Sequence, residues 1–149
     1  MQRSAMKKLS FLVGKWSGDA RILRQSGEPL ELTQTEEAQY KLDGLLLMIE
    51  GVGRTKDGKP ALQALGIISY DDETRKYRMR AYNDGRYLET EMKLAHKGGE
   101  LRWGFATGEI KFSSELRINE KGERTELHDI RVGSARPRRF MELRVSRTQ

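Results

Sequence analysis

A chain of 149 residues can bury one core, and the absence of cysteine excludes a disulfide framework and thiolate chemistry. Hydrophobic residues make up 36% and charged residues 34%, a thin core with much polar surface, which suits a single-layer barrel whose strands each keep one wet face. The net charge of +6 comes from Lys and Arg alternating with Asp and Glu along nearly every segment, the pattern of solvated strand faces. Only the end, with Arg131, Arg136, Arg138, Arg139 and Arg144, has a local basic excess, and nucleic acid is not expected as a partner.

Arg3, Lys7 and Lys8 precede the short apolar stretch Leu9-Ser10-Phe11-Leu12-Val13. It is shorter than a secretory core and no small-x-small cleavage site follows. The segment is therefore predicted as a helical lead-in over about 3–12, and the chain as cytoplasmic. No stretch nears the ~20 apolar residues that cross a bilayer, and no membrane partner is expected.

After Gly14 the chain reads as strand-length segments divided by turn signals. These are Ser26-Gly27-Glu28-Pro29, Asp43-Gly44, Lys56 to Pro60, Asp71-Asp72-Glu73, Asn83-Asp84-Gly85, Lys97-Gly98-Gly99, Thr107-Gly108, Glu120-Lys121-Gly122 and Gly133 to Pro137. Steps such as Asp-Gly and Gly-Gly supply the positive φ of tight hairpins. The punctuation predicts about ten strands in one domain, 1–149. No helical apolar period is sustained after Gly14.

Side chains alternate within the segments as on half-buried strands. Trp16, Ala20 and Ile22 share a face, as do Leu30, Leu32, Ala38, Tyr40 and Leu42. Further on come Leu88, Met92 and Leu94; Leu101, Trp103 and Phe105; Ile110, Phe112, Leu116 and Ile118; and Met141, Leu143 and Val145. Leu45 to Ile49 and Leu65 to Ile68 are apolar on both faces, so the opening helix or a partner chain is expected to cover them. An open meander this long would expose two edges, which closure removes. The predicted fold is all-β, a closed or nearly closed up-and-down antiparallel barrel with a short N-terminal helix. Ten strands ~4.8 Å apart and tilted ~40° enclose a cylinder of roughly 10 Å radius, leaving a hollow of roughly 4 Å inside the side chains.

Particular residues carry a family likeness. Leu12-Val13-Gly14-Lys15-Trp16-Ser17-Gly18 resembles the Gly-x-Trp-x-Gly start of lipocalin-like barrels. Leu42 to Gly51, Ile68-Ser69-Tyr70-Asp71 and Trp103-Gly104-Phe105 resemble an uncharacterised bacterial family of lipocalin-like (calycin) barrel domains, related in architecture to nitrobindin and the fatty-acid-binding proteins. The resemblance implies the fold over about Leu9 to Val145. Its motifs are structural and carry no chemistry. Nitrobindin-type proteins hold haem iron through a histidine near the C-terminal strands, but the segment Arg138 to Arg147 has none. No cofactor is expected; haem on His128 is the alternative.

No catalytic signature is present. His-Glu-x-x-His and Gly-x-Ser-x-Gly are missing, and Gly14-Lys15-Trp16 and Gly58-Lys59-Pro60 lack the Ser or Thr of a phosphate loop. Two histidines, His96 and His128, make no metal site unaided. What remains is parity. Gln34 and Glu36 go with Leu32 and Ala38, Glu50 with Leu46 and Met48, Thr90 with Leu88, Ser114 with Phe112, and Glu126 and His128 with Ile130. Such groups surround internal water or contact a ligand, because unpaired polar groups are costly inside. In the ligand reading Trp16, Tyr40, Trp103 and Phe105 form an aromatic wall, with Glu36, Glu50, Thr90 and His128 as polar anchors. Tyr77, Met79 and Ala81 are favoured as inward over Arg78, Arg80 and Tyr82, since buried unpaired arginine is expensive.

The leading expectation is a non-enzymatic carrier or sensor of a small, partly apolar molecule. The alternatives are a haem-associated or other barrel enzyme using Glu36 or Glu50 with His128, or a dimeric interaction module. In the last, Leu45, Leu47, Leu65, Ile67 and Phe140 form an outward patch for a homodimer.

Overall fold

The computed structural model describes residues 1–148; Gln149, the last residue of the expected domain, lies outside them. A short helix α1 (Gln2–Lys7) and a 3₁₀ turn (Ser10–Leu12) precede ten strands. They are β1 (Gly14–Ile22), β2 (Leu30–Lys41), β3 (Leu46–Arg54), β4 (Pro60–Asp71), β5 (Lys76–Asn83), β6 (Arg86–Leu94), β7 (Glu100–Thr107), β8 (Ile110–Ile118), β9 (Arg124–Val132) and β10 (Arg138–Arg147). Each strand pairs antiparallel with its sequence neighbours, and β10 returns to β1, closing the barrel. The all-β, up-and-down antiparallel barrel, expected as closed or nearly closed, is closed.

The lead-in plugs one end. Met6, Leu9 and Leu12 are fully buried and pack with Ala38, Leu47, Ile68, Met79, Met92, Leu101 and Leu116. Each such side chain contributes about 1.5–3 kcal/mol on burial, which holds a helix too short to persist alone. Four strand side chains fasten it, among them Arg147 of β10, whose Nη2 donates to the Phe11 carbonyl at 2.6 Å. Trp16 Nε1 donates to the Leu12 carbonyl at 2.9 Å, the Tyr40 hydroxyl to Met6 O at 2.7 Å, and the Tyr77 hydroxyl to Ala5 O at 2.7 Å. A second buried cluster of Trp16, Ala20, Leu32, Leu143 and Val145 lies along β1, β2 and β10.

Inward parity holds for Tyr77, Met79 and Ala81, while Arg80 and Tyr82 are exposed. Four expectations are corrected. Leu42 and Asp43 adopt left-handed φ of 50° and 55° in the turn after β2, which breaks the alternation and leaves Leu42 exposed. On β3 the inward residues are Leu47, Ile49, Gly51 and Gly53, because Leu47 faces the plug and the two glycines abut Gln34 and Glu36. Glu50 is therefore outside and exposed, paired in register with Glu37 and Leu65. The apolar run on both faces made its parity unreadable from alternation. Leu47 likewise leaves the outward apolar patch. So does Phe140: the register of β9 and β10 shifts between Arg139 and Met141, and the Phe140 ring lies 6.0 Å from His128 and 5.9 Å from Phe112.

Candidate functional site

Above the plug the interior turns polar. Arg124, at the start of β9, is fully buried, and its Nη2 pairs with Glu36 of β2 and, at 2.9 Å, with Glu126. Its guanidinium carbon also sits 5.2 Å from the Trp16 ring, whose other cationic neighbour is Arg147 at 4.5 Å. Gln34 Nε2 donates to Glu36 Oε2 at 3.0 Å. Glycines make room for this layer: a Cβ on Gly51 would lie 2.9 Å from Glu36 Oε2, and one on Gly53 would lie 2.7 Å from Gln34 Oε1.

The set is not saturated. Arg124 Nε, Arg124 Nη1 and Gln34 Oε1 are buried and have no protein partner. Each group left so costs about 1–3 kcal/mol unless water or a ligand satisfies it.

His128 continues the layer. Its Nδ1 lies 2.7 Å from Ser114 Oγ, and its Nε2 lies 3.2 Å from Glu126 Oε1. Ser114 and His128 are direct partners across β8 and β9, so the barrel register makes the contact. Burial pushes the Glu126 carboxyl up, but the Arg124 charge and the His128 hydrogen bond outweigh it and hold it below its ordinary value. An ionised Glu126 only accepts, so the neutral imidazole of His128 keeps its proton on Nε2 and accepts from the Ser114 hydroxyl at Nδ1. Glu36 is lifted above its ordinary value, by burial first and then by the Glu126 charge, against the pull of Arg124. Both nitrogens of His128 are thus engaged within the protein, Nδ1 by Ser114 and Nε2 by Glu126.

Two unlike walls rise from this floor. On β3, β4 and β5 the inward positions above the plug are mostly small, Gly51, Gly53, Ala64, Gly66 and Ala81, with Leu62 inward beside Gly53. Ala64 shares the inner face yet is exposed, so solvent reaches the interior there. Across the barrel stand Trp103, Phe105, Phe112 and Phe140. Phe105 stacks on Phe112 at 4.6 Å, and Trp103 meets His128 edge-on at 6.0 Å. The wall is weakest between β6 and β7, laddered only from Met92–Trp103 to Leu94–Leu101. Beyond that, the Thr90 hydroxyl donates to Gly104 O at 2.6 Å in place of a ladder. A depression of about 160 Å³ is lined by Ser113, Glu115 and Arg139 together with Trp103 and Ser114, and one of about 230 Å³ by Lys93, Glu100 and Arg102.

The residues singled out from sequence thus separate. Glu36, Thr90, Trp103 and His128 line the interior, with Phe105 partly exposed among the aromatics. Trp16 lies beneath the polar layer, Tyr40 fastens the plug, and Glu50 is outside. Arg124 was missed, although it continues the parity of Glu126 and His128 by one step. His96 is exposed. Among the described residues no group of three or more His, Cys, Asp or Glu is placed to hold a metal, and no helix is long and apolar enough to cross a membrane.

These features define a closed ten-stranded antiparallel barrel with a helical plug at one end and a polar floor beneath an aromatic wall. The fold is similar to that in the crystal structure of Rv2717c from M. tuberculosis, with a TM-score of 0.72 and 15% sequence identity over 100% of both chains. No family model matches the sequence, and no curated protein matches it.

Proposed function

We propose that the protein is a lipocalin-like carrier or sensor that holds a small, partly apolar molecule in the barrel. The observation carrying this reading is the set of unpartnered atoms at the floor: two N–H donors of Arg124 and one acceptor oxygen of Gln34, all buried. They sit below facing walls of small and aromatic side chains, the composition of small-molecule pockets. Arg124 already has two carboxylates beside it, so an anionic end group gains little there. A neutral end that both accepts and donates, such as a carboxamide or an alcohol, satisfies Arg124 and Gln34 together. The apolar body then lies along Trp103, Phe105 and Phe140.

Native mass spectrometry of gently purified protein, with titration of an environment-sensitive apolar dye, tests the reading. One copurifying molecule or one dye site per chain is expected, and Ala64→Phe, which fills the space beside the small wall, should weaken it at least tenfold. Absence of both a copurifying molecule and saturable dye binding would overturn the proposal.

A further inference from the structure

We propose that Ser114, His128 and Glu126 form a nucleophilic relay giving the barrel acyl-transfer activity toward small apolar esters. The activity rests on the hollow proposed above, which would hold the ester, but adds chemistry that binding does not need.

The relay has the parts a serine nucleophile requires: a hydroxyl, a base within hydrogen-bond reach, and a carboxylate orienting the base. Ser114 Oγ is 2.7 Å from His128 Nδ1, and His128 Nε2 is 3.2 Å from Glu126 Oε1. Which nitrogen faces the serine is immaterial, since such constellations are recognised by geometry and role. The ionised Glu126 selects the competent tautomer, with its proton on Nε2 and a lone pair toward Ser114. Arg124 keeps Glu126 ionised by pairing with its other oxygen at 2.9 Å. His128 and Glu126 retain side-chain exposures of 14% and 12%, so the relay is largely shielded from bulk water without being sealed from it.

The chemistry closes without a co-reactant other than water. Ser114 Oγ attacks the ester carbonyl as His128 Nδ1 takes the hydroxyl proton; the bond from the acyl carbon to the leaving oxygen breaks, and that oxygen departs with the proton. Water then gives a proton to His128 Nδ1 while its oxygen attacks the acyl carbon. The Oγ–carbon bond breaks, the proton returns to Ser114, and the acid is released. General acid–base help of this kind contributes about 10²–10⁴-fold, so activated esters are the substrates expected to react measurably.

The test uses the full chain with an alkyl fluorophosphonate and with p-nitrophenyl butyrate. A single phosphonyl adduct mapped to Ser114 is expected, with p-nitrophenol release that Ser114→Ala lowers by roughly 100-fold. Glu126→Gln should shift the pH profile of kcat/KM. Each variant is compared at matched circular dichroism and dye affinity. Mapping the adduct on the unaltered protein needs no variant to fold. Failure of Ser114 to label, or Ser114→Ala hydrolysing as fast as the parent, overturns the relay. Dye binding that persists in that outcome leaves the carrier reading standing; loss of dye binding with labelling intact strikes the carrier reading alone.

Discussion

Tyr77 and Ala5, 72 positions apart in the chain, are joined by a 2.7 Å hydrogen bond from the phenol to the helix carbonyl. Tyr40 makes the matching bond to Met6. Burial pushes both phenols above their ordinary range, so they remain donors at any physiological pH. Tyr77→Phe and Tyr40→Phe should each cost about 1 kcal/mol, and Met6→Ala about 2–5 kcal/mol through the cavity left in the plug. Urea denaturation and amide exchange over residues 1–12 measure this. Unchanged exchange in the double Tyr variant would show that the phenols do not hold the helix.

Glycines inside the strands separate by what surrounds them. A Cβ on Gly18 would stand 2.0 Å from the Arg144 carbonyl oxygen, a backbone atom that cannot yield cheaply. At Gly66 the nearest atom is Met79 Sδ at 3.7 Å. Gly18→Ala is expected to destabilise by about 1–3 kcal/mol or more, and Gly66→Ala by less than about 1 kcal/mol. Equal chemical denaturation midpoints for the two variants would refute the close approach of β1 to β10.

Removal of Arg124 strands two carboxylates. Arg124→Leu leaves Glu36 and Glu126 facing each other without their cation and should destabilise by about 3–5 kcal/mol. Adding Glu36→Gln should restore part of that loss, because one of the repelling charges goes. Additive effects in this double-mutant cycle would mean that the two residues do not interact.

Glu36 and Glu126 tie stability to pH in opposite senses. Glu126 sits below its ordinary 4.5, so its contribution is present above pH 4.5 and lost as pH falls through the native value. Glu36 sits above 4.5, so its contribution is present below pH 4.5 and lost as pH rises through the native value. Glu36→Gln should therefore flatten the fall in denaturant midpoint above pH 4.5, and Glu126→Gln the fall on the acid side. Superimposable pH profiles for parent and Glu36→Gln would contradict the raised carboxyl.

Thr90 closes the poorly laddered seam between β6 and β7 through its bond to Gly104. Thr90→Val keeps the shape and removes the donor, so amides of residues 87–91 and 104–107 should exchange faster. Stopped-flow dye binding should quicken if the seam is the way in.

Much of the interior was legible from clean alternation. Gln34, Glu36, Thr90, Ser114, Glu126 and His128 share parity with apolar neighbours, and period two leaves no choice once one face is known. Where both faces are apolar, as at Leu45 to Ile49, period two carries no information, and Glu50 came out on the wrong side. A bulge defeats parity too, which is why Phe140 turned inward.

From sequence alone followed the ten-strand meander and the helical lead-in, because turn residues and alternating side chains act within a few neighbours. Tertiary structure alone decided which inward groups meet. Ser114 reaches His128 only in one register of β8 on β9, and Arg124 reaches Glu36, 88 positions away, only once the barrel has closed. Register and closure are sums over long-range pairings, and no local stretch of the chain encodes them.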